Sequence, residues 1–203
     1  MTARALDRRL IRGPAGDLEI AVTQPGVQPR GVAVIAHPHP LYGGTLDNKV
    51  VQTLAKAFAT LGLVAVRFNF RGVGRSAGNF DEGRGEIEDL LAVVRHARAE
   101  LAEGRLALAG FSFGGYVAAQ AARALETGHL ALVAPAVNRF TVPAVPPQTL
   151  VVHGEEDDVV PLKDLMDWAR PQRLPVVVFP GTGHFFHGML IALHAVVARY
   201  FRD

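Results

Sequence analysis

The sequence predicts an α/β fold, in which a mostly parallel central sheet is flanked by helices. Two observations predict it. Short apolar runs bounded by glycine and proline alternate with longer segments whose apolar residues repeat at helical spacing. The apolar runs are mostly continuous, as strands that are buried on both faces require. A chain of 203 residues suits one domain with a substantial core, so we expect a single domain over residues 1–203.

Seven segments are predicted as strands because they are short, apolar and bounded by turn residues. In chain order they are DLEIAVTQPG, GVAVIAHPH, LVAVRFNF, RLALAGF, HLALVAPAV, QTLVVHG and LPVVVFPG. Five longer segments are predicted as helices from their apolar spacing and small-residue content. They are LDNKVVQTLAKAFATLG, EIEDLLAVVRHARAEL, FGGYVAAQAARAL, PLKDLMDWARP and HGMLIALHAVVARYF.

Composition excludes several classes of function. The formal net charge is only +2 and the arginines are scattered, which does not resemble the basic patch of a nucleic-acid-binding protein. The chain has no cysteine, which excludes disulfides, thiolate metal sites and a cysteine nucleophile. The start, MTARALDRRLIRG, has charges without an apolar stretch after them, and no apolar run is long enough to span a membrane. We therefore expect a cytoplasmic protein that binds neither nucleic acid nor membrane.

The segment GFSFG, residues 110–114, carries one of the two serines of the chain, Ser76 and Ser112. It matches the G-x-S-x-G pattern of a nucleophile on a sharp strand-to-helix turn, and the flanking RLALA and YVAAQAARAL supply the strand and the helix that this pattern requires. The small Gly110 and Gly114 permit a close approach of strand and helix. Ser112 is therefore the candidate nucleophile.

A serine hydroxyl needs a base, and the base needs an orienting carboxylate. The strand QTLVVHG is followed by four acidic residues, Glu155 to Asp158, and the next strand is followed by GTGHFFHG, which contains His184 and His187. Turns after parallel strands share one edge of the sheet with the Ser112 turn. The sequence therefore predicts a triad of Ser112, one of these acids and one of these histidines.

Five motifs in this order resemble the α/β-hydrolase superfamily over nearly the whole chain, and within it a group of small bacterial serine hydrolases without a lid. The motifs are AHPHPLYGGTLDNKVV, NFRGVGRSAG, GFSFGG, HGEEDDVVP and GTGHFFHG. The resemblance implies that Asp157, the third residue after His-Gly, is the acid, with Asp158 as the alternative. It implies that His184 is the base, with His187 as the alternative. Cap domains of the superfamily insert after the sixth strand, where only NRFTVPAVPPQ is available, so we expect no cap domain.

A tetrahedral intermediate needs two hydrogen-bond donors for its oxyanion. One is predicted to be the N–H of Phe113, directly after the nucleophile. The other is expected from HPHPLYGGT, in which the prolines have no N–H and leave His39 and Leu41 as candidates. Superposition of the family's His-Gly-x turn on His-Pro-His favours His39, while Leu41 stays open.

Two rival interpretations concern the loops. His37 and His39 would face the same side of a strand, as a metal-binding pair can, but no motif supplies a third ligand, so we predict no metal and no cofactor. In RGVGRSAG the Gly-x-Gly is not followed by the Lys-Ser/Thr of a phosphate-binding loop. Arg71 and Ser76 are expected instead to tie this loop to the sheet.

The predicted function is a carboxylesterase-type serine hydrolase that cleaves small or short-chain esters through an acyl-enzyme, as a monomer or homodimer. Tyr42, Phe185 and Phe186 are the candidates for an apolar substrate pocket, with Phe111 and Phe113 beside them. A thioesterase or small peptidase with the same triad is the alternative. A catalytically silent binding or scaffold protein is a third hypothesis, against which the complete triad argues.

Overall fold

The computed structural model describes residues 7–202. Its strands are β1 (Asp7–Gly13), β2 (Gly16–Thr23), β3 (Gly31–Ala36), β4 (Val64–Phe68), β5 (Arg105–Phe111), β6 (His129–Val133), β7 (Leu150–Gly154) and β8 (Val176–Phe179). They form one eight-stranded sheet in the order β1-β2-β4-β3-β5-β6-β7-β8. The pairs β1–β2 and β2–β4 are antiparallel, and all the other pairs are parallel. The predicted, mostly parallel sheet is confirmed.

Helices cover both faces of this sheet. They are α1 (Lys49–Thr60), α2 (Arg84–Glu100), α3 (Phe113–Ala122), α4 (Leu162–Ala169) and α5 (Leu190–Tyr200). The buried sides of α2, α3 and α4 form one hydrophobic core against the sheet, and those of α1 and α5 form a second core on the opposite face. Along β3, Val32 and Val34 belong to the first core, whereas Ala33 and Ile35 belong to the second. Burial on both faces explains why the central strands are continuously apolar.

The sequence does not predict β1, whose segment DRRLIRG contains three arginines. Ile11 is its one buried residue. The strand pairs over its whole length with β2, from Asp7 opposite Val22 to Gly13 opposite Gly16. A strand at the edge of a sheet can remain polar, because only part of its surface meets the core. The first six residues of MTARALDRRLIRG, the segment that was expected not to be a signal peptide, lie outside the described residues.

Three boundaries position the predicted site. Strand β3 ends at Ala36, so the His-Pro-His segment follows the strand instead of extending it. Helix α5 begins at Leu190, later than predicted, so His187 lies in the preceding turn. Residues 134–149, which connect β6 to β7, contain neither helix nor strand, in agreement with the absence of a cap domain.

No helix within residues 7–202 combines the length and the apolarity that a membrane crossing needs.

Candidate active site

The turn between β5 and α3 holds Ser112 in a strained backbone conformation, with φ 56° and ψ −118°. Residues with a Cβ seldom adopt a positive φ. A Cβ on Gly110 would lie 2.0 Å from the Gly114 carbonyl oxygen, and a Cβ on Gly114 would lie 2.4 Å from the Ala36 oxygen. The two glycines are therefore a steric requirement, because β5, α3 and the end of β3 approach too closely at this turn for any side chain.

The structure brings Ser112, Asp157 and His184 together, as the sequence predicts. Asp157 lies in the turn after β7, where its Oδ1 accepts the N–H groups of Val159 at 2.9 Å and Val160 at 2.7 Å. Its Oδ2 is 2.7 Å from Nδ1 of His184, and Nε2 of His184 is 3.1 Å from Oγ of Ser112. With Nδ1 donating to the carboxylate, Nε2 is the nitrogen that can accept the hydroxyl proton.

The two alternative residues do not take part in this arrangement. Asp158 and His187 are both exposed, whereas Asp157 and His184 are buried. Between the alternatives that the sequence leaves open, the geometry therefore favours Asp157 and His184.

The surroundings of Asp157 keep it ionised. Burial acts to raise the pKa of this carboxyl, but hydrogen bonds from His184 and from the Val160 N–H outweigh it, so the pKa lies below its ordinary value. His153, at the end of β7, has Nε2 at 2.8 Å from the Val160 oxygen and 3.5 Å from Asp157 Oδ2. Burial lowers the pKa of His153, so this neighbour is neutral and the carboxylate keeps its negative charge for His184.

Two backbone N–H groups near Ser112 are suited to bind an oxyanion. Within the described part of the chain, neither the Phe113 N–H nor the His39 N–H donates a hydrogen bond to another residue. Phe113 is the first residue of α3, where N–H groups lack partners in the helix and favour negative charge. The Leu41 N–H, in contrast, donates to Nδ1 of His39 at 3.2 Å. His39 is therefore the better candidate of the pair.

Ser112 and His184 open into a cleft of about 340 Å³. Its other lining residues include Pro38, Tyr42, Asn48, Arg139, Val159 and Phe185. Tyr42 and Phe185 are 74% and 46% exposed and form open walls of the cleft, which leaves both as candidates for a substrate pocket.

The prediction for Phe186 is wrong. This side chain is fully buried in the core between the sheet and α5, where its ring packs edge-on against Phe179 at 5.4 Å. Phe111 and Phe113 are also fully buried, and the Phe111 ring packs against the His184 ring with a distance of 4.8 Å between the ring centroids. Aromatic residues next to a catalytic motif thus divide between core and cleft in a way that composition alone does not reveal.

Comparison with known proteins identifies the family. A family model described as X-Pro dipeptidyl-peptidase (S15 family) matches residues 16–145, more than half of the chain. An α/β serine hydrolase homologue from Coxiella burnetii is 43% identical, with a TM-score of 0.90 over 99% of both chains. An α/β serine hydrolase without a lid from Xanthomonas campestris is 39% identical, with a TM-score of 0.92 over 98% of this chain and 95% of that chain. This chain belongs to the S15 family of α/β serine hydrolases.

An uncharacterised protein from Rickettsia prowazekii is also similar to this serine hydrolase, at 34% identity over 86% of this chain and 79% of that protein. The family-model match includes Ser112 but ends before Asp157 and His184. The two solved structures, in contrast, align with nearly the whole hydrolase, including the turns after β7 and β8.

His37 of the serine hydrolase is a structural residue. Its Nδ1 donates to the Pro38 oxygen at 2.6 Å, and its Nε2 accepts the Phe70 N–H at 3.1 Å. Burial lowers the pKa of His37 to about 4, so the ring is neutral. Both ring nitrogens are thus engaged within the fold. His37 and His39 do not lie on one face of a strand, as the rival interpretation of a metal-binding pair required, because β3 ends at Ala36.

The loop after β4 is tied down largely as predicted. Oγ of Ser76 donates to the Asn69 oxygen at 2.7 Å and accepts the Glu19 N–H at 2.9 Å, which joins the loop to β2. Arg71 binds Asp89 of α2 at 2.9 Å, so its anchor is a helix rather than the sheet.

Sequence reasoning missed Asn48 and Arg139 as cleft residues. Oδ1 of Asn48 caps α1 by accepting the Val50 N–H at 2.9 Å, and Arg139 lies in the connection between β6 and β7. Both follow strands that end at the same edge of the sheet as Ser112. That position is the signal that could have found them, because no sequence motif marks either residue.

Proposed function

We propose that this chain is a carboxylesterase-type serine hydrolase that cleaves small or short-chain esters through an acyl-enzyme. The observation that carries the proposal is the hydrogen-bonded series from Asp157 Oδ2 to His184 Nδ1 at 2.7 Å and from His184 Nε2 to Ser112 Oγ at 3.1 Å. This series supplies a nucleophile, a base and an orienting carboxylate in hydrogen-bond contact.

In the proposed reaction, His184 Nε2 takes the hydroxyl proton as Ser112 Oγ attacks the carbonyl carbon. When the tetrahedral intermediate collapses, the imidazolium gives this proton to the departing alcohol oxygen and the acyl group stays on Oγ. A water molecule then repeats the attack, with His184 again accepting the proton. Collapse of the second intermediate releases the carboxylic acid and returns the proton to Ser112.

Asp157 has two functions in this scheme. Its Oδ2 accepts a hydrogen bond from Nδ1–H of His184, which holds the ring in the tautomer that leaves Nε2 free for the serine proton. It also stabilises the imidazolium that forms when the proton moves. The two N–H groups that Oδ1 accepts fix the carboxylate, so that it is oriented before the substrate arrives.

The developing oxyanion is proposed to bind the N–H groups of Phe113 and His39. Phe113 directly follows Ser112 and His39 lines the same cleft, and neither N–H has a hydrogen-bond partner in residues 7–202, so no existing bond has to break when the oxyanion forms. The same reasoning disfavours the Leu41 N–H, which the His39 ring already occupies.

Small substrates are proposed from the form of the cleft. A volume of about 340 Å³ is at the lower end for small-molecule sites, and residues 134–149 supply no covering helix or strand. The exposed rings of Tyr42 and Phe185 offer apolar surface for a short acyl chain. Long acyl chains would extend into water and gain little further binding.

A peptidase is the second candidate, because the matching family model is described as X-Pro dipeptidyl-peptidase. Release of a dipeptide from a free N-terminus requires a negatively charged group for the terminal ammonium. The described residues that line the cleft include no carboxylate, and they do include the cation Arg139. The charge of the cleft therefore favours an ester over a peptide with a free amino group.

The test is hydrolysis of 4-nitrophenyl esters from acetate to laurate by the wild type and by Ser112→Ala. We expect activity that is highest on short chains and absent in the variant, together with labelling of Ser112 by a fluorophosphonate. Matched thioester and anilide substrates measure the alternatives. Activity that survives in Ser112→Ala would contradict the proposal, and a wild type that neither turns over nor labels would support a binding protein.

A further inference from the structure

One charged side chain stands apart in the cleft. Among the described residues that line it, Arg139 is the one with a permanent charge. Its side chain is exposed, and no carboxylate of residues 7–202 forms an ion pair with it. Some arginines of this hydrolase are paired within the fold, as Arg71 is with Asp89. What distinguishes Arg139 from other exposed arginines is that it lines the same cleft as Ser112, where its charge is available to a ligand.

The turn that carries Arg139 is held in place on both sides. Nδ2 of Asn138 donates to the Val159 oxygen at 2.9 Å, which joins the turn to the chain after Asp157. The ring of Phe140 stacks on Tyr116 at 4.8 Å, and the Phe140 N–H donates to the Ala136 oxygen at 3.1 Å. Arg139 is thus presented from an anchored backbone, which lowers the cost of ordering it around a ligand.

The guanidinium itself is partly oriented. Its central carbon lies 5.7 Å from the centroid of the Tyr42 ring, within the range of a cation–π contact. Such a contact uses the face of the guanidinium and leaves its edge N–H groups available as donors. Burial and, to a smaller extent, the positive charge of Arg139 lower the pKa of His39, so Arg139 acts electrostatically on a residue that lines the same cleft as Ser112.

We propose that Arg139 is a specificity-determining residue and that the substrate ester carries a carboxylate a few atoms from the scissile carbonyl. The inference rests on the proposed attack of Ser112 on an ester. A carboxylate matches the paired N–H donors of a guanidinium, and its planar edge can bind both at once. The apolar walls of the cleft would hold the short chain between the two functional groups.

The test compares two isosteric substrates, mono-4-nitrophenyl glutarate and its primary amide, in the wild type, Arg139→Gln, Arg139→Lys and Arg123→Gln. Arg123 is an exposed arginine at the far end of α3, about 16 Å along the helix from Ser112, and serves as the matched control. We expect Arg139→Gln to lower the anionic-to-neutral ratio of kcat/KM about tenfold, mainly through KM. Arg139→Lys should recover part of the ratio, and Arg123→Gln should leave it unchanged.

A second pair, 4-acetoxybenzoate and 4-acetoxybenzamide, places the charge on the alcohol side of the ester. A loss of preference in one pair only would identify the side on which the carboxylate sits. An unchanged ratio in both pairs would overturn the proposal. An equal loss of activity on the charged and the neutral esters would also overturn it, because Arg139 would then act only by supporting Tyr42.

A binding measurement keeps this inference separate from the proposed reaction. Monomethyl glutarate and its amide are titrated by NMR into Ser112→Ala, with and without Arg139→Gln. Tighter binding of the anion that depends on Arg139 supports the inference even if the wild type hydrolyses no ester. Equal Kd values for the two ligands in the presence of Arg139 would overturn it, whatever the outcome for Ser112.

Discussion

The two serines of the chain are buried to the same degree, yet their surroundings differ. Ser76, in the loop after β4, and Ser112, in the turn after β5, each have 7% of their surface exposed. Oγ of Ser76 donates to the Asn69 oxygen and accepts the Glu19 N–H. Oγ of Ser112 has His184 Nε2 as its hydrogen-bond partner among the described residues, and its backbone is strained.

The comparison teaches that burial does not separate a structural serine from the serine of a candidate active site. At Ser76 the hydroxyl donates and accepts within the fold, so its hydrogen bonds contribute stability. At Ser112 the hydrogen-bond partner of the hydroxyl among the described residues is His184, the proposed base, and the N–H groups of Phe113 and His39 have no partner in this part of the chain. Polar groups whose hydrogen bonds are formed within the fold contribute to stability, whereas polar groups without a partner in the fold remain available to a ligand.

Exchange of each serine for alanine should separate the two effects completely. Ser112→Ala should lower kcat for a short 4-nitrophenyl ester by about 10⁴-fold to 10⁶-fold, because the nucleophile is lost. It should change the Tm little, since alanine keeps the Cβ and removes one hydrogen bond. Ser76→Ala should keep kcat within about threefold of the wild type but lower stability by about 1 to 3 kcal/mol, because the Glu19 N–H and the Asn69 oxygen lose their partner.

The measurements are steady-state kinetics and thermal unfolding of the same preparations. The stability loss of Ser76→Ala corresponds to a Tm decrease of about 3 to 10 °C in a chain of this size. Loss of turnover in Ser76→Ala at a temperature well below its Tm would contradict the purely structural role of Ser76.

The adjacent acidic residues Asp157 and Asp158 provide a second test, at the candidate active site. Asp157→Asn should lower kcat by about 10³-fold to 10⁴-fold, because an amide can no longer hold His184 in the required tautomer. Asp158→Asn, one residue later and exposed, is the matched control and should remain within about twofold of the wild type. Comparable losses in the two variants, measured on folded protein, would mean that the turn rather than the Asp157 carboxylate matters.

Much of the fold could be predicted because burial on both faces makes the central strands continuously apolar. The same rule explains the failure at β1. Its polar segment Asp7–Gly13 is held at the sheet edge mainly by backbone pairing with β2, and backbone hydrogen bonds leave no pattern in side chains. The start of α5 was misjudged because the predicted helix was extended back to His187, whereas Gly188, with φ 76°, keeps the preceding turn out of the helix.

The candidate site divides in a similar way. Ser112 could be chosen from its motif, because the elbow imposes local sequence requirements, whereas Asp157 and His184 were chosen among neighbouring acids and histidines through the family resemblance. Arg139 and Asn48 could be chosen in neither way, since they reach the cleft through the path of long connections. Phe185 and Phe186 are neighbours of the same type, and only the turn geometry, with φ 53° at Phe186, sends one into the cleft and the other into the core.

The free N–H groups can be tested without a change in the triad. His39 has φ −54°, which proline also adopts, so His39→Pro can remove the N–H while retaining the backbone path. His39→Ala removes the same ring but keeps the N–H, and is the control. We expect His39→Pro to have a kcat about 10²-fold to 10³-fold below that of His39→Ala, the usual effect of one lost oxyanion donor. Equal kcat values would return the choice to Leu41.

The smallest expected effect concerns His37, which resembles Ser76 in forming its hydrogen bonds within the fold. Its ring joins the turn after β3 to the loop after β4 through the Phe70 N–H, and burial holds its pKa at about 4, below the ordinary value of 6.5. Between these pH values the unfolded chain binds a proton that the folded chain excludes, so acid favours unfolding. A decrease from pH 7 to pH 5 should cost about 2 kcal/mol from His37 alone.

Urea unfolding at both pH values measures this contribution. His37→Gln should be less stable than the wild type at pH 7, but its free energy of unfolding should fall by about 2 kcal/mol less between pH 7 and pH 5. The buried His153 has a lowered pKa and adds in the same direction, so a residual decrease should remain in the variant. The lowered pKa of Asp157 acts only below about pH 4 and does not enter this window. His187→Gln, at an exposed position, is the control and should show the same decrease in the free energy of unfolding as the wild type. If His37→Gln shows that full decrease as well, His37 does not contribute to the pH dependence of stability.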